Sequence, residues 1–189
     1  MKRIAILLVV VALTACGQIG NKSAKTDSSI PVVKATPAPA DWATYTHENY
    51  SIKYPNDWKF QENYMGTDFI IFSPADSTSP TFTENINMTK EDLDGKSGDL
   101  DKLIPPTLDM IKRMATNFNL VSSTKKKDGQ GEYQEIIYTA NQGNYAFQQE
   151  QWYRVFNNKV YVLTLTLLRK NWDQGRQIGE QSIGTFSIK

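Results

Sequence analysis

Cys16 is the only cysteine in this chain of 189 residues, and it directly follows Leu13-Thr14-Ala15. Those four residues have the order of a bacterial lipobox, in which the cysteine thiol takes a diacylglycerol and becomes the first residue of the mature protein. Upstream, Lys2 and Arg3 form a positive segment and Ile4 to Leu13 an unbroken apolar run, so residues 1–15 are expected to be a cleaved signal peptide. A membrane-spanning helix needs ~20 apolar residues, and this run is far shorter. Acyl chains such as palmitate would then hold the mature chain to the membrane, each buried methylene contributing ~0.8 kcal/mol.

The remaining residues able to do chemistry form weaker sets. There is one histidine, His47, beside a predicted hairpin turn, and no G-x-S-x-G elbow. A general base needs positioned partners, so His47 is expected to be a solvated side chain and no catalytic residue is named. Zinc needs three or four clustered ligands, and only carboxylates are plentiful. The acidic run from Glu91 through Asp92, Asp94 and Asp99 to Asp101 offers oxygens for a hard cation. However, Lys96 stands at the third ligand position of an EF-hand template and no glycine at the sixth. The run is expected to be a solvated loop, with Asp99 suited to a helix or turn entry. No metal or cofactor is expected. Lys125-Lys126-Lys127 is read as a charged hairpin tip that blocks edge pairing, rather than as a headgroup contact. Tyr54, Trp58 and Tyr64 are expected to anchor a sheet to its covering layer.

Positioning these residues requires a folded body, and the chain has one. Residues 16–40 read as a lipidated N-terminus and flexible tether, rich in Ser, Thr, Lys, Ala and Pro and too poor in apolar residues to order themselves. Residues 41–189, about 150 in all, suffice for one domain with its own core and no disulfide. The precursor carries a net charge of +1. Loss of Lys2 and Arg3 leaves 19 basic against 20 acidic residues, so no nucleic-acid partner is implied.

The domain reads as strands, helix, long strands, helix. Strands are predicted at 44–47, 50–54, 58–64, 68–72 and 81–88, with Glu84 interrupting the apolar set of the last. Residues 89–99 read as a loop. Leu100, Leu103, Ile104, Leu108, Ile111 and Met114 recur at helical spacing. Because proline removes a donor and clashes one turn back, the main helix is predicted from Pro105-Pro106 to about Asn117. Strands at 120–126 and 132–140 flank Asp128-Gly129, and strands at 145–156 and 159–168 flank Asn157-Asn158. In the last of these, Tyr161, Leu163, Leu165 and Leu167 form one face, and Val160, Val162, Thr164 and Thr166 the other. Asn171 is predicted to cap a final helix through about Ser182, weakened by Gly175 and Gly179.

Tyr50-Ser51-Ile52-Lys53-Tyr54-Pro55, with Trp58 three residues on, resembles the opening motif of the PsbP-like family. Phe72-Ser73-Pro74, Glu84-Asn85-Ile86-Asn87, Lys159 to Thr164 and the closing Ile183-Gly184-Thr185-Phe186 are similar to its later landmarks. The resemblance implies an α+β fold, an antiparallel β-sheet with helices on both faces. It also implies a bacterial lipoprotein member that works as a binding or assembly module, with a protein partner in the cell envelope. The photosynthetic role does not carry over, since the lipobox points to a bacterial envelope. Fold analogy is weak evidence for function, so an envelope hydrolase or small-ligand carrier with a dispersed site is the alternative. A deep apolar pocket with convergent polar groups and shifted carboxylates would favour that alternative, first of all near the 89–101 loop and Pro105.

Overall fold

The computed structural model describes residues 30–34, 36–75 and 81–189. Cys16 and the predicted signal peptide at 1–15 lie outside the described residues. Ala43–Thr46 (β1) and Tyr50–Tyr54 (β2) form the expected hairpin. Ser187–Ile188 (β10) pairs with the other side of β2, closing a three-stranded sheet.

The larger sheet has seven strands, each antiparallel to its neighbour. They are Lys59–Glu62 (β3), Phe69–Phe72 (β4), Asn85–Asp92 (β5), Thr116–Asp128 (β6), Gly131–Gln142 (β7), Tyr145–Phe156 (β8) and Lys159–Leu168 (β9). Their order is β3-β4-β5-β9-β8-β7-β6. Two helices complete an α+β fold: Leu100–Met114 (α1), and Trp172–Gly184 (α2), which follows a 3-10 turn at Arg169–Asn171.

Strand β9 shows why the alternating sequence makes a core. Leu163, Leu165 and Leu167 join a buried cluster with Ile52, Phe69 and Ile86 and with Trp172 and Ile183 of α2. Val160 and Leu168 join a second cluster with Ile136, Tyr138 and Phe147 and with Leu103, Ile104 and Ile111 of α1. The β8–β9 hairpin turns where predicted, with φ of 47° and 58° at Asn157 and Asn158. Asparagine tolerates such left-handed values.

Several boundaries differ from the expected ones. Helix α1 begins at Leu100, not at the prolines, and Pro105 and Pro106 lie inside it. Asp99 supplies the start signal, its side chain accepting a hydrogen bond from Asp101 N at 3.0 Å. The prolines remove the donors that would have reached the carbonyls of Asp101 and Lys102, both exposed residues. Water can satisfy those carbonyls, and the apolar face of α1 holds the helix to the sheet.

Strand β5 starts four residues later than predicted and runs into the stretch expected as a loop, because its pairing with β9 continues to Asp92↔Lys159. Asn171 does not cap α2 with its side chain. Instead its Nδ2 donates to Glu84 Oε1 at 2.8 Å, and Leu168 N donates to the same oxygen at 3.1 Å. Within the predicted tether, Val33 N donates to Lys127 O at 2.8 Å and Lys127 N to Pro31 O at 3.0 Å, beside edge strand β6.

Trp58 is half-buried at the margin of the first cluster, not inside it. Trp58→Ala is therefore expected to cost about 2 kcal/mol, below the ~3–5 kcal/mol of a fully enclosed ring. Chemical unfolding of the variant would read this directly, and a loss above about 4 kcal/mol would contradict it.

Candidate functional site

Between α1 and the sheet lies a cavity of about 370 Å³. Its apolar wall comes from one face of α1, where Leu103, Ile111 and Met114 recur at helical spacing. The opposite wall is the central part of the sheet. There Thr89 and Glu91 of β5, Val160, Val162 and Thr164 of β9, and Gln149, Gln151 and Tyr153 of β8 point to the same side because each strand alternates. Tyr138 of β7 and Phe147 of β8 add aromatic surface.

The strand register makes this wall an ordered polar surface. Thr164 stands opposite Gln151, and Thr166 opposite Gln149. Tyr138 Oη donates to Gln149 Oε1, and Gln149 Nε2 donates to Thr166 Oγ1 at 2.9 Å. Tyr153 Oη donates to Gln151 Oε1 at 2.6 Å. Burial raises the pKa of both phenols, so they stay protonated donors at neutral pH. Glu91 is the one acidic residue in the lining. Burial raises its pKa, partly offset by the charge of Lys96.

A second concentration of ionisable groups lies beneath α2. Glu150, with 0% of its surface exposed, accepts from Trp152 Nε1 at 2.7 Å and from Arg176 Nε at 3.2 Å. Arg176 also pairs with Glu180 at 2.7 Å, and Lys126 pairs with Glu135 at 2.6 Å. One carboxylate oxygen from each of Glu135, Glu150 and Glu180 lies within 4.8 Å of the others. The geometry has room for a cation, but Arg176 and Lys126 already supply counter-charge. The set links β7, β8 and α2 through Lys126 and Arg176, with Glu150 buried at its centre.

Of the candidate residues singled out in the sequence, Glu91 lies at the cavity and Lys126 at the carboxylate cluster, and the others named below lie elsewhere. His47 stacks on Tyr50 with ring centroids 4.6 Å apart, and its Nδ1 accepts from Asn49 N at 3.4 Å. Asp92 pairs with Lys159, and Asp101 with Lys125. Lys126 faces Glu135 and the backbone of Lys127 meets Pro31 and Val33, so the lysine run is tied down within the molecule. Tyr54 and Trp58 pack beside the first cluster, and Tyr64 meets Phe72 edge-on at 5.4 Å. Gln149, Gln151, Thr164 and Glu150 stand out only in the structure. Their one signal in the sequence is a polar residue at an inward position of a strand whose neighbours are apolar.

The family model described as PsbP matches residues 40–188. Cyanobacterial PsbP (CyanoP) from Synechocystis sp. PCC 6803 superposes with a TM-score of 0.56 at 14% identity, covering 80% of this chain and 95% of that one. PA94, a protein of unknown function from Pseudomonas aeruginosa, gives 0.55 at 13% identity, with coverages of 76% and 94%. LpqN of Mycobacterium tuberculosis, described as involved in cell envelope biogenesis, gives 0.55 at 13% identity, with coverages of 82% and 90%. At these identities the likeness is one of fold. No curated protein sequence matches the chain.

Proposed function

The chain belongs to the PsbP family, and from that premise we propose that it is a lipid-anchored, extracytoplasmic binding module of a bacterial cell envelope, without enzymatic activity of its own. The observation that carries this reading is the cavity under α1, apolar on the helix side and lined by amides and hydroxyls on the sheet side. Such a surface holds a molecule without attacking it. Nucleophilic catalysis needs a nucleophile and a base in contact, whereas the chain's one histidine is stacked on Tyr50, outside the lining.

Further support comes from the architecture. The two hydrophobic clusters draw on alternate residues of β9, one cluster with α2 and the other with α1. This favours a helix–sheet–helix layering, which leaves the α1 side free to open a pocket. The fold shared with LpqN, described as involved in cell envelope biogenesis, supports the same compartment. Among the described residues no helix is long and apolar enough to cross a membrane; in this reading the lipid on Cys16 provides the attachment. The cavity also favours one form of the alternative expected from the sequence, a small-ligand carrier with a dispersed site, over a hydrolase.

Cys16→Ser is expected to release the protein from the membrane fraction, and the intact mass of the unaltered protein should include acyl chains. An unmodified mass, or a variant that sediments with membranes as before, would refute the anchor. Crosslinking in native membranes is expected to capture one envelope assembly reproducibly. A protein recovered alone that turns over a substrate would overturn the binding reading.

A further inference from the structure

We propose that the cavity under α1 takes an uncharged amphipathic molecule, with several hydroxyl groups along one side and hydrocarbon along the other. This rests on the binding reading above and names the ligand class for it.

The polar wall is built and largely buried. Thr164 is 2% exposed and Gln149 8% exposed. Two phenols fix the amides, since Tyr138 and Tyr153 donate to the amide oxygens of Gln149 and Gln151. That leaves Gln151 Nε2 without a protein partner among the described residues, at the cavity wall. The Thr164 hydroxyl beside it likewise has no partner among them. Buried polar groups are nearly always satisfied. A wall with a spare amide donor beside a spare hydroxyl is therefore hydrogen-bonding capacity the fold leaves unused. Neighbouring hydroxyls, which donate and accept at once, match that mixture better than any single-function group.

Charge argues against an ionic ligand. The lining holds no lysine, arginine or histidine to receive an anion, and Glu91 would repel one. A cation would find a single carboxylate in the lining, Glu91, to pair with. Either ion would leave water without adequate pairing, which is costly. On the helix side, Leu103 and Ile111 supply hydrocarbon, and Met114, 58% exposed, offers an adaptable thioether at the mouth.

The test uses the full-length lipoprotein in nanodiscs, titrated calorimetrically with butyl β-glucoside, sodium butyrate, butylammonium chloride and 1-butanol, with empty nanodiscs subtracted. Butyl glucoside is expected to bind at least 10-fold more tightly than the other three. Gln151→Leu and Thr164→Val are each expected to weaken it about 5- to 10-fold, one lost hydrogen bond in a desolvated site. The selectivity of the unaltered protein is read independently of whether any variant folds. Preference for butyrate or butylammonium would overturn the ligand class alone, leaving the binding reading intact. Equal binding of the glucoside and butanol would reduce the cavity to an apolar sink and overturn the proposal. If no probe binds, the proposal and the ligand-carrier alternative fall together, while the crosslinking result still decides the assembly role.

Discussion

Leu165→Ala is expected to lower the stability of the folded protein by about 3–5 kcal/mol, more than the truncation of the half-buried Trp58. Leu165 has 0% of its surface exposed and lies mid-strand in β9, in the cluster that includes Trp172 and Ile183. Facing it, Gly179 of α2 is so close that an added Cβ would lie 2.5 Å from each Leu165 methyl and 3.0 Å from its Cγ. Those methyls belong to a fully buried side chain, so Gly179→Ala is expected to cost about 1–3 kcal/mol by overpacking. The helix-propensity gain of ~1 kcal/mol offsets only part of this. The double variant Gly179→Ala/Leu165→Ala separates the explanations. The new methyl would occupy part of the vacated space, so the double variant should cost less than the sum of the two. Additive losses in a denaturant-based double-mutant cycle would show that the two residues do not share this contact.

The same pair of positions explains what is and is not legible in the sequence. Strands β8 and β9 have the predicted boundaries because their alternation is strong and Asn157-Asn158 can adopt the turn's left-handed backbone. Gly179 and Gly175 read as defects of helix α2, since propensity counts only what a residue does to its own helix. Their value is in tertiary contact: a Cβ at Gly175 would lie 3.1 Å from Leu167, and one at Gly179 closer still to Leu165. Pro105 and Pro106 mislead for the same reason. Their local cost places a helix start there, but Leu100, Leu103 and Ile104 are buried against the sheet and extend the helix back to the cap at Asp99. The cavity is hidden more deeply. Thr164, Gln151 and Gln149 stand on one wall only once the β8–β9 register is fixed. Glu91 reads in the sequence as part of a solvated loop, because the last four residues of β5 carry polar side chains.

Glu150 is expected to make the protein lose stability as pH rises from about 4.5 to about 7, and Glu150→Gln to remove that loss. Burial raises its pKa from 4.5 to about 7, and the nearby charges of Glu180 and Glu135 add to the rise. The hydrogen bond from Trp152 and the charge of Arg176 oppose it. Below pH 4.5 the carboxyl is protonated in both folded and unfolded chains, and the fold suffers no penalty from it. Between the two values the unfolded chain has already released its proton while the folded chain still holds it. The unfolded state therefore gains as pH rises, and the stabilisation is fully lost above about 7. At ~1.36 kcal/mol per unit this amounts to about 3 kcal/mol. The amide of Glu150→Gln keeps an oxygen for Trp152 Nε1, while Arg176 retains Glu180 at 2.7 Å. Urea unfolding of both proteins at pH 4.5, 6 and 7.5 reads the difference free of the other carboxyl groups. The variant should be the more stable protein at pH 7.5, with its advantage shrinking toward pH 4.5. Parallel pH profiles for the two proteins would mean that Arg176 keeps Glu150 ionised throughout, and that α2 is held by a buried ion pair rather than by a neutral acid.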